Sequence, residues 1–256
     1  MNQNFCTEDA TVITTSTANT NFPASNLKHP FRSKRWRSTG VTSEWVVFDL
    51  STTEAIDSVV LMWSKEDGIL LSNTATVTIQ ANATNVWTSP AVSQVLTINN
   101  TYELASYYFT SAQNYRYWRV LITDPGNPNG FLELGVCWLG KGLVIDNAQN
   151  GFTFQLVDTS KLSVTPFGNV YVDEYPILAL MSFSYQYLSY SMMQILENAY
   201  RTNGNRDPVM VCLDAEGATF DKDHYTVYGH FGNDFTTTHV VYNILNSPTI
   251  HISELA

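Results

Sequence analysis

The sequence predicts a mainly β protein. A β-sandwich with an N-terminal arm is expected over residues 1–141, followed by a smaller α+β domain over 142–256 in which one helix packs on a sheet. Three observations carry this. Short apolar stretches rich in β-branched and aromatic residues recur along the chain, several alternating with period two, and turn residues separate them. Only the segment after Ser191 repeats its apolar residues at helical spacing. Gly140-Lys141-Gly142 closes the first series of strands.

In the first series, one short strand is expected at Ala10–Thr15. Trp45–Leu50 and Ala55–Trp63 read as buried strands, with a turn at Lys65–Gly68. Thr74–Ala81 places Ala75, Val77, Ile79 and Ala81 on one side and Thr76, Thr78 and Gln80 on the other, the pattern of a half-buried strand. Val95–Leu104, Tyr107–Phe109 and Tyr115–Thr123 follow, then the turn Pro125–Gly130 and the strand Phe131–Leu139. Seven or eight strands with turns between them and no helix describe a sandwich.

In the second series, strands are expected at Leu143–Ile145, Gly151–Val157 and Gly168–Asp173, with a turn at Asn147–Gly151. Pro176–Leu188 reads as one long alternating strand. Ser191-Met192-Met193-Gln194 has capping-box spacing. Met192, Ile195, Leu196 and Ala199 form one apolar face, and Asn203-Gly204 supplies the stop. Pro208–Leu213 is a buried strand. Tyr225–Phe231 and Asp234–Asn243 read as a hairpin around Gly232-Asn233, and Thr249–Leu255 closes the chain.

The 256 residues carry a net charge of -10, with only 14% charged residues against about 25% in an average globular chain. That balance argues against nucleic acid as a partner. Fourteen tyrosines and a Thr/Ser/Asn-rich polar complement describe a neutral, adhesive surface suited to assembly or glycan contacts. Cys6, Cys137 and Cys212 match no metal spacing and are expected as free thiols of a protein made in a reducing cytoplasm. The N-terminus has neither the basic nor the apolar part of a secretory signal, and no apolar run is long enough to span a membrane.

The exception to the acidic trend is the stretch from Phe22 to Leu50. Lys28, Arg32, Lys34, Arg35 and Arg37 fall within ten positions. His29, Arg32, Lys34 and Arg35 are the candidate contact residues, with Phe31 nearby: a planar fork of donors and a mobile point charge suit an acidic or hydroxyl-rich ligand, and equally an acidic patch on a neighbouring subunit. Trp36 and Trp45 are expected in the core. Tyr115, Tyr117 and Arg119 share one strand face and Arg116 and Trp118 the other, so at least one arginine must be paired or sit at a strand end. Asp214, Glu216, Asp221 and Asp223 fail the calcium-loop template and read as a solvated loop. No nucleophile, zinc, phosphate-loop or dinucleotide signature is present. The chain is therefore expected not to be an enzyme. A glycan hydrolase using two carboxylates is the remaining catalytic class. No metal and no cofactor is expected, a structural calcium held by backbone carbonyls being left open.

The order NFPASNL, RWRST, EWVVFDL, IDSVVLMW, YRYWRVLITD, FLELGVCWLG resembles the coagulation factor 5/8 type C family, also called discoidin-like or galactose-binding-like, which includes many carbohydrate-binding modules. Trp36, Trp45, Asp49, Leu50, Tyr117, Arg119 and Glu133 stand at the matching positions. The resemblance implies a jelly-roll sandwich and glycan binding. One place departs: the family's Asp-Gly pair before the first Trp reads His-Pro-Phe-Arg-Ser-Lys here. In the second half, the order of strand, helix, PVMVCLD, VYGHFGNDF and HVVYNILNSPTIHISEL is similar to bacteriophage tail-tube-like proteins. That resemblance implies a docking domain and a structural component of a phage tail, at the tip or baseplate. Its expected partners are other tail proteins, further copies in a homo-oligomer or ring, and host glycans, and its place the virion. A carbohydrate-binding module protein is the alternative.

Overall fold

The computed structural model describes residues 3–63, 70–143, 152–213, 215, 221–241 and 244–255. The chain forms two compact units. The first holds Asn2–Gly142 together with Asp214–His224; the second holds Leu143–Leu213 and Tyr225–Ala256.

The first unit is a β-sandwich whose described residues form eight strands: β1 (Val12–Thr15), β2 (Trp36–Arg37), β3 (Glu44–Met62), β4 (Thr76–Asn82), β5 (Val92–Asn99), β6 (Leu104–Thr123), β7 (Glu133–Leu134) and β8 (Val136–Gly140). Two of the strands are not short. The separate strands expected at 45–50 and 55–63 are one bent strand, β3, and those at 107–109 and 115–123 are one strand, β6. The first half of β3 pairs with β1 and with the second half of β6. Its second half pairs with β8 and with the first half of β6. The register slips between Asp49 and Glu54 and again between Ile56 and Ser58. Such slips let one strand pass from one layer of a sandwich to the other. The bend begins at Ser51, whose φ of 67° is left-handed. The Asp49 carboxylate accepts from the Ser51 N–H at 2.9 Å and helps offset the cost of that conformation.

β4 and β5 extend the sheet beside β6, and β2 pairs with β7. Trp36, Phe48, Ile56, Leu61, Ile79, Leu104, Trp118 and Trp138 fill the core. Trp36 is core as expected, its indole N–H donating to the Thr17 carbonyl, while Trp45 is only half-buried.

Within the acidic stretch Asp221 is exposed, as a solvated loop requires, but Asp223 departs from that reading. Asp223 is buried in the first unit, accepting from Ser106 Oγ at 2.7 Å and Asn99 Nδ2 at 3.2 Å. Asp221 accepts from the N–H groups of Asp223 and His224. Asp214 and Glu216, the turns at 65–68 and 147–151 and the strand at 143–145 lie wholly or mostly outside the described residues.

The second unit is α+β. Its main sheet is antiparallel and holds β9 (Thr153–Asp158), β12 (Ile177–Phe183), β14 (Val209–Cys212), β15 (Thr226–Phe231) and β18 (Ile250–Glu254) in the order β14-β15-β18-β12-β9. A three-stranded sheet joins β13 (Leu188–Ser189), β17 (Ile244–Asn246) and β16 (Thr238–Val241). β10 (Lys161–Val164), which the sequence did not predict, pairs with β11 (Val170–Asp173).

The hairpin expected from 225–231 and 234–243 does not form: β15 pairs with β14 and β18, and β16 pairs with β17. Gly229 explains the first choice. A Cβ there would collide with the Ser253 carbonyl, so only glycine lets β15 and β18 approach this closely. The long strand expected at 176–188 ends at Phe183, and Tyr187 takes a left-handed φ of 57°.

Helix α1 runs Tyr190–Asn203, capped by Ser189, whose hydroxyl accepts from the Met192 N–H, rather than by Ser191. Its buried face is Met193, Leu196 and Ala199, with Ile195 exposed and Met192 half-buried. Gly204 ends it at a positive φ. Met193 and Leu196 pack with Met181, Val209, Val227 and Ile252.

Candidate functional site

The basic loop leaves a short 3-10 turn (Ala24–Lys28) and enters β2. Asn26 Nδ2 donates to the Arg35 carbonyl at 2.9 Å and closes the loop on itself, and the Lys34 N–H donates to the Phe31 carbonyl. Most of its cationic charge is turned inward. Arg32 is 1% exposed; Nε and Nη2 donate to the Trp63 carbonyl at 2.9 and 2.6 Å, and Nη2 reaches Glu103 at 3.1 Å. A Cβ on Gly135 would stand 2.6 Å from the Arg32 carbonyl, so this glycine lets the segment before β8 pass against the loop. Arg35 donates through Nε to Glu133 at 3.1 Å, and Arg37 donates through Nε to the same oxygen. Glu133 is almost fully buried, a position where a carboxylate is tolerated only with such partners. The Arg37 guanidinium lies between the rings of Phe22 and Phe131, 4.3 and 4.1 Å from their centroids.

Of the four residues singled out from the sequence, the structure therefore divides two from two. Arg32 and Arg35 point into the sandwich and bind it together. His29 and Lys34 are exposed, with Phe31 and Ser33 between them. The outward face of the loop is thus an imidazole, a phenyl ring nearly half exposed, a hydroxyl and an ammonium. Elsewhere in the sandwich two further loops are tied to each other. Asp124, fully buried, accepts from the Ser72 N–H at 2.8 Å, from its hydroxyl, and from Asn127 Nδ2 at 2.9 Å, and Asn127 also donates to the Leu70 carbonyl.

A second polar group lies on the β4–β6 face and was not anticipated. Arg119 donates twice to the Gln80 side-chain oxygen and stacks 4.6 Å from the Trp87 ring, and burial lowers its affinity for its proton. Three residues earlier on the same strand, Arg116 grips Asp49 in a two-pronged ion pair of 2.6 and 2.9 Å, which holds the Asp49 carboxyl below the usual carboxylate range. Both arginines of YRYWR are therefore partnered. Their alternation was legible; Trp87 is brought over Arg119 by a loop that no motif marks. Among the described residues, no three His, Cys, Asp or Glu side chains are grouped to hold a metal ion.

Chemically the exposed loop can donate hydrogen bonds and offer a ring face. It sits on a scaffold whose guanidiniums are already committed.

A family model described as the F5/8 type C domain matches residues 11–134. No curated protein matches the chain. Solved structures similar to it include the lectin domain of lectinolysin complexed with Lewis B antigen (14% identity, TM-score 0.44, covering 55% of this chain and 98% of that one). Others are the family 32 carbohydrate-binding module of C. perfringens NanJ in complex with galactose (10%, 0.44, 54% and 98%) and chitosan-binding module 1 from the chitosanase/glucanase of Paenibacillus sp. IK-5 (24%, 0.41, 54% and 99%). These likenesses and the family match lend no support to the tail-tube resemblance of the second half. The N-terminal region has the galactose-binding-like β-sandwich fold of F5/8 type C kind, the matched residues making up just under half of the chain.

Proposed function

We propose that this chain is a carbohydrate-binding protein and that its sandwich presents the 28–35 loop to a glycan. The observation that carries the reading is the division within that loop. Arg32 and Arg35 are consumed by internal partners, so the loop is rigid, while His29, Phe31, Ser33 and Lys34 face outward. An exposed ring among hydrogen-bond donors can cover the apolar face of a sugar and meet its hydroxyls at the edge, and Lys34 favours a sugar that bears an acid group. The F5/8 type C match over the same region supports the reading, and binding of this kind needs no catalytic residue.

The test is a glycan array probed with the full chain and with Phe31→Ala. Binding to a defined set of sugars, reduced at least tenfold in the variant, is the expected result. No binding by the wild-type chain would overturn the proposal.

A second reading, a structural protein of a phage tail carried in the virion, is favoured by one feature of the second unit. The hairpin formed by β10 and β11 exposes apolar residues of the kind that assembly buries. Antibody labelling of tailed particles tests it: label at the tail is expected, and protein found only free in the lysate would sink it.

A further inference from the structure

The arginines of the sandwich do not all end on a carboxylate. Arg32 reaches Glu103, Arg35 and Arg37 share Glu133, and Arg116 holds Asp49. Among the described residues Arg119 is the exception. Its partners are the Gln80 amide oxygen and the Trp87 ring, both neutral. Asp49, its diagonal neighbour on β3, is committed to Arg116, to the Ser51 N–H and to the Tyr117 hydroxyl. A half-buried guanidinium without a counter-ion carries a charge that the fold has not neutralised. Burial already weakens its hold on its proton, and an anion placed beside it would restore that hold.

The open part of the guanidinium follows from its bonds. Nε and Nη2 both donate to Gln80 Oε1, Nε at 2.7 Å. That occupies the Nε side of the plane, and the edge formed by Nη1 and the second Nη2 hydrogen keeps its donors. Two parallel N–H groups on one edge match the two oxygens of a carboxylate. Both partners are themselves held. Gln80 stands between Arg119 and Ser93 in the register, and its Nε2 donates to Ser93 Oγ at 3.3 Å. Trp87 lies in the loop from β4 to β5. There the Asn82 side chain accepts from the Ala83 N–H at 2.9 Å and donates to the Val86 carbonyl at 2.8 Å, and Trp87 Nε1 donates to Asn85 Oδ1 at 2.7 Å. Val77, Ile79 and Ala81 of β4 and Trp118, Val120 and Ile122 of β6 fill the core, so Gln80 and Arg119 look away from it. The loop thus fixes a half-buried indole over a cation on the outer face of the sheet.

We propose that Arg119, Gln80 and Trp87 form a second binding site, on the outer β4–β6 face of the sandwich, that takes the carboxylate of a uronic-acid sugar. The carboxylate meets the Nη1–Nη2 edge, and the C–H face of the sugar ring lies against the indole. Its hydroxyls meet Thr76, Thr78 and Ser93, which share this face in the register and are at least partly exposed. A uronate combines these three features in one ring: an acid, an apolar C–H face and hydroxyls. Charge places it here. Across a chain of net charge -10 an anionic sugar is repelled in general, and it settles where a cation is not already neutralised. The inference rests on the reading of the sandwich as a glycan-binding module, but on no residue of the 28–35 loop.

The test is an NMR titration of the isotope-labelled full chain, with the Trp87 indole N–H signal assigned by its loss in Trp87→Ala. The probes are oligomers of galacturonate, of mannuronate and of hyaluronan, each beside its methyl ester. At least one acid form is expected to move the Trp87 signal to saturation, and its ester to bind at least tenfold more weakly. Calorimetry is expected to show at least a tenfold loss of affinity in Trp87→Ala and in Arg119→Lys, which keeps the charge and removes the fork. The unfolding temperature of Trp87→Ala, read on the same samples, is expected to match the wild type. No binding of any acid form, equal binding of acid and ester, or variants that bind as the wild type does would each overturn the proposal. A uronate that binds without moving the Trp87 signal is held elsewhere, which overturns this site and leaves the reading of the 28–35 loop standing.

Discussion

The loop at 28–37 and the hairpin at 161–173 stand in opposite relations to water. In the loop, guanidiniums are buried; in the hairpin, valines and a leucine are exposed. Both break the rule that charge faces out and hydrocarbon faces in, for different reasons. Arg32, Arg35 and Arg37 enter the interior because Trp63, Glu103 and Glu133 supply acceptors there. The hairpin stays in water because no described residue covers its apolar side. Residue type sets a demand, for an acceptor or for an apolar cover, and the rest of the fold decides where it is met.

The largest effect expected on the loop side is that of Glu133→Ala. It strips Arg35 and Arg37 of their shared carboxylate, and leaving buried charge uncompensated costs about 3–5 kcal/mol. Denaturant unfolding reads this directly. A loss typical of a surface residue would mean that the arginines find water, and the contrast between the two regions would disappear. Next comes Asp223→Ala, which removes the acceptor for Ser106 and Asn99 and is expected to cost about 1–3 kcal/mol.

On the hairpin side, Leu162→Thr with Val172→Thr should change stability by no more than about 0.5 kcal/mol, as exposed positions do. A large loss there would show that its apolar side is already covered. The smallest effect is a pH dependence. Arg116, and then the Ser51 N–H, hold the folded-state affinity of Asp49 for its proton below the unfolded value. Its contribution is therefore fully present above the ordinary aspartate range and is lost as pH falls through the depressed folded value. Asp49→Asn should flatten the acid end of the stability profile slightly, an effect reduced by the exposure of Arg116.

Much of the sandwich was legible because its signals are local. Val77, Ile79 and Ala81 alternate, and Trp36 and Trp118 are large and apolar, so burial follows from sequence alone. What was missed depends on distant partners. The bend at Ser51 joins two expected strands into one, and nothing near Ser51 announces it. Asp223 lies among acidic residues that look solvated, yet Ser106, 117 positions earlier, takes it inside. The helix was found, but its cap moved from Ser191 to Ser189. Either serine offers a capping hydroxyl, and it is Ser189 that accepts from the Met192 N–H. In the candidate site the loop was found from its charge density. That same density concealed the division between Arg32 and Arg35, which hold the scaffold, and His29, Phe31 and Lys34, which face outward.

In the proposed function this outward group binds sugar on a scaffold made by the inward one. It is tested most directly by calorimetric titration of an array-selected glycan into the wild-type chain and into His29→Ala/Phe31→Ala/Lys34→Ala, with unfolding measured on the same samples. Binding by the wild type, at least a tenfold weaker interaction in the triple variant, and unchanged stability are expected. Equal affinity in the two proteins would contradict it.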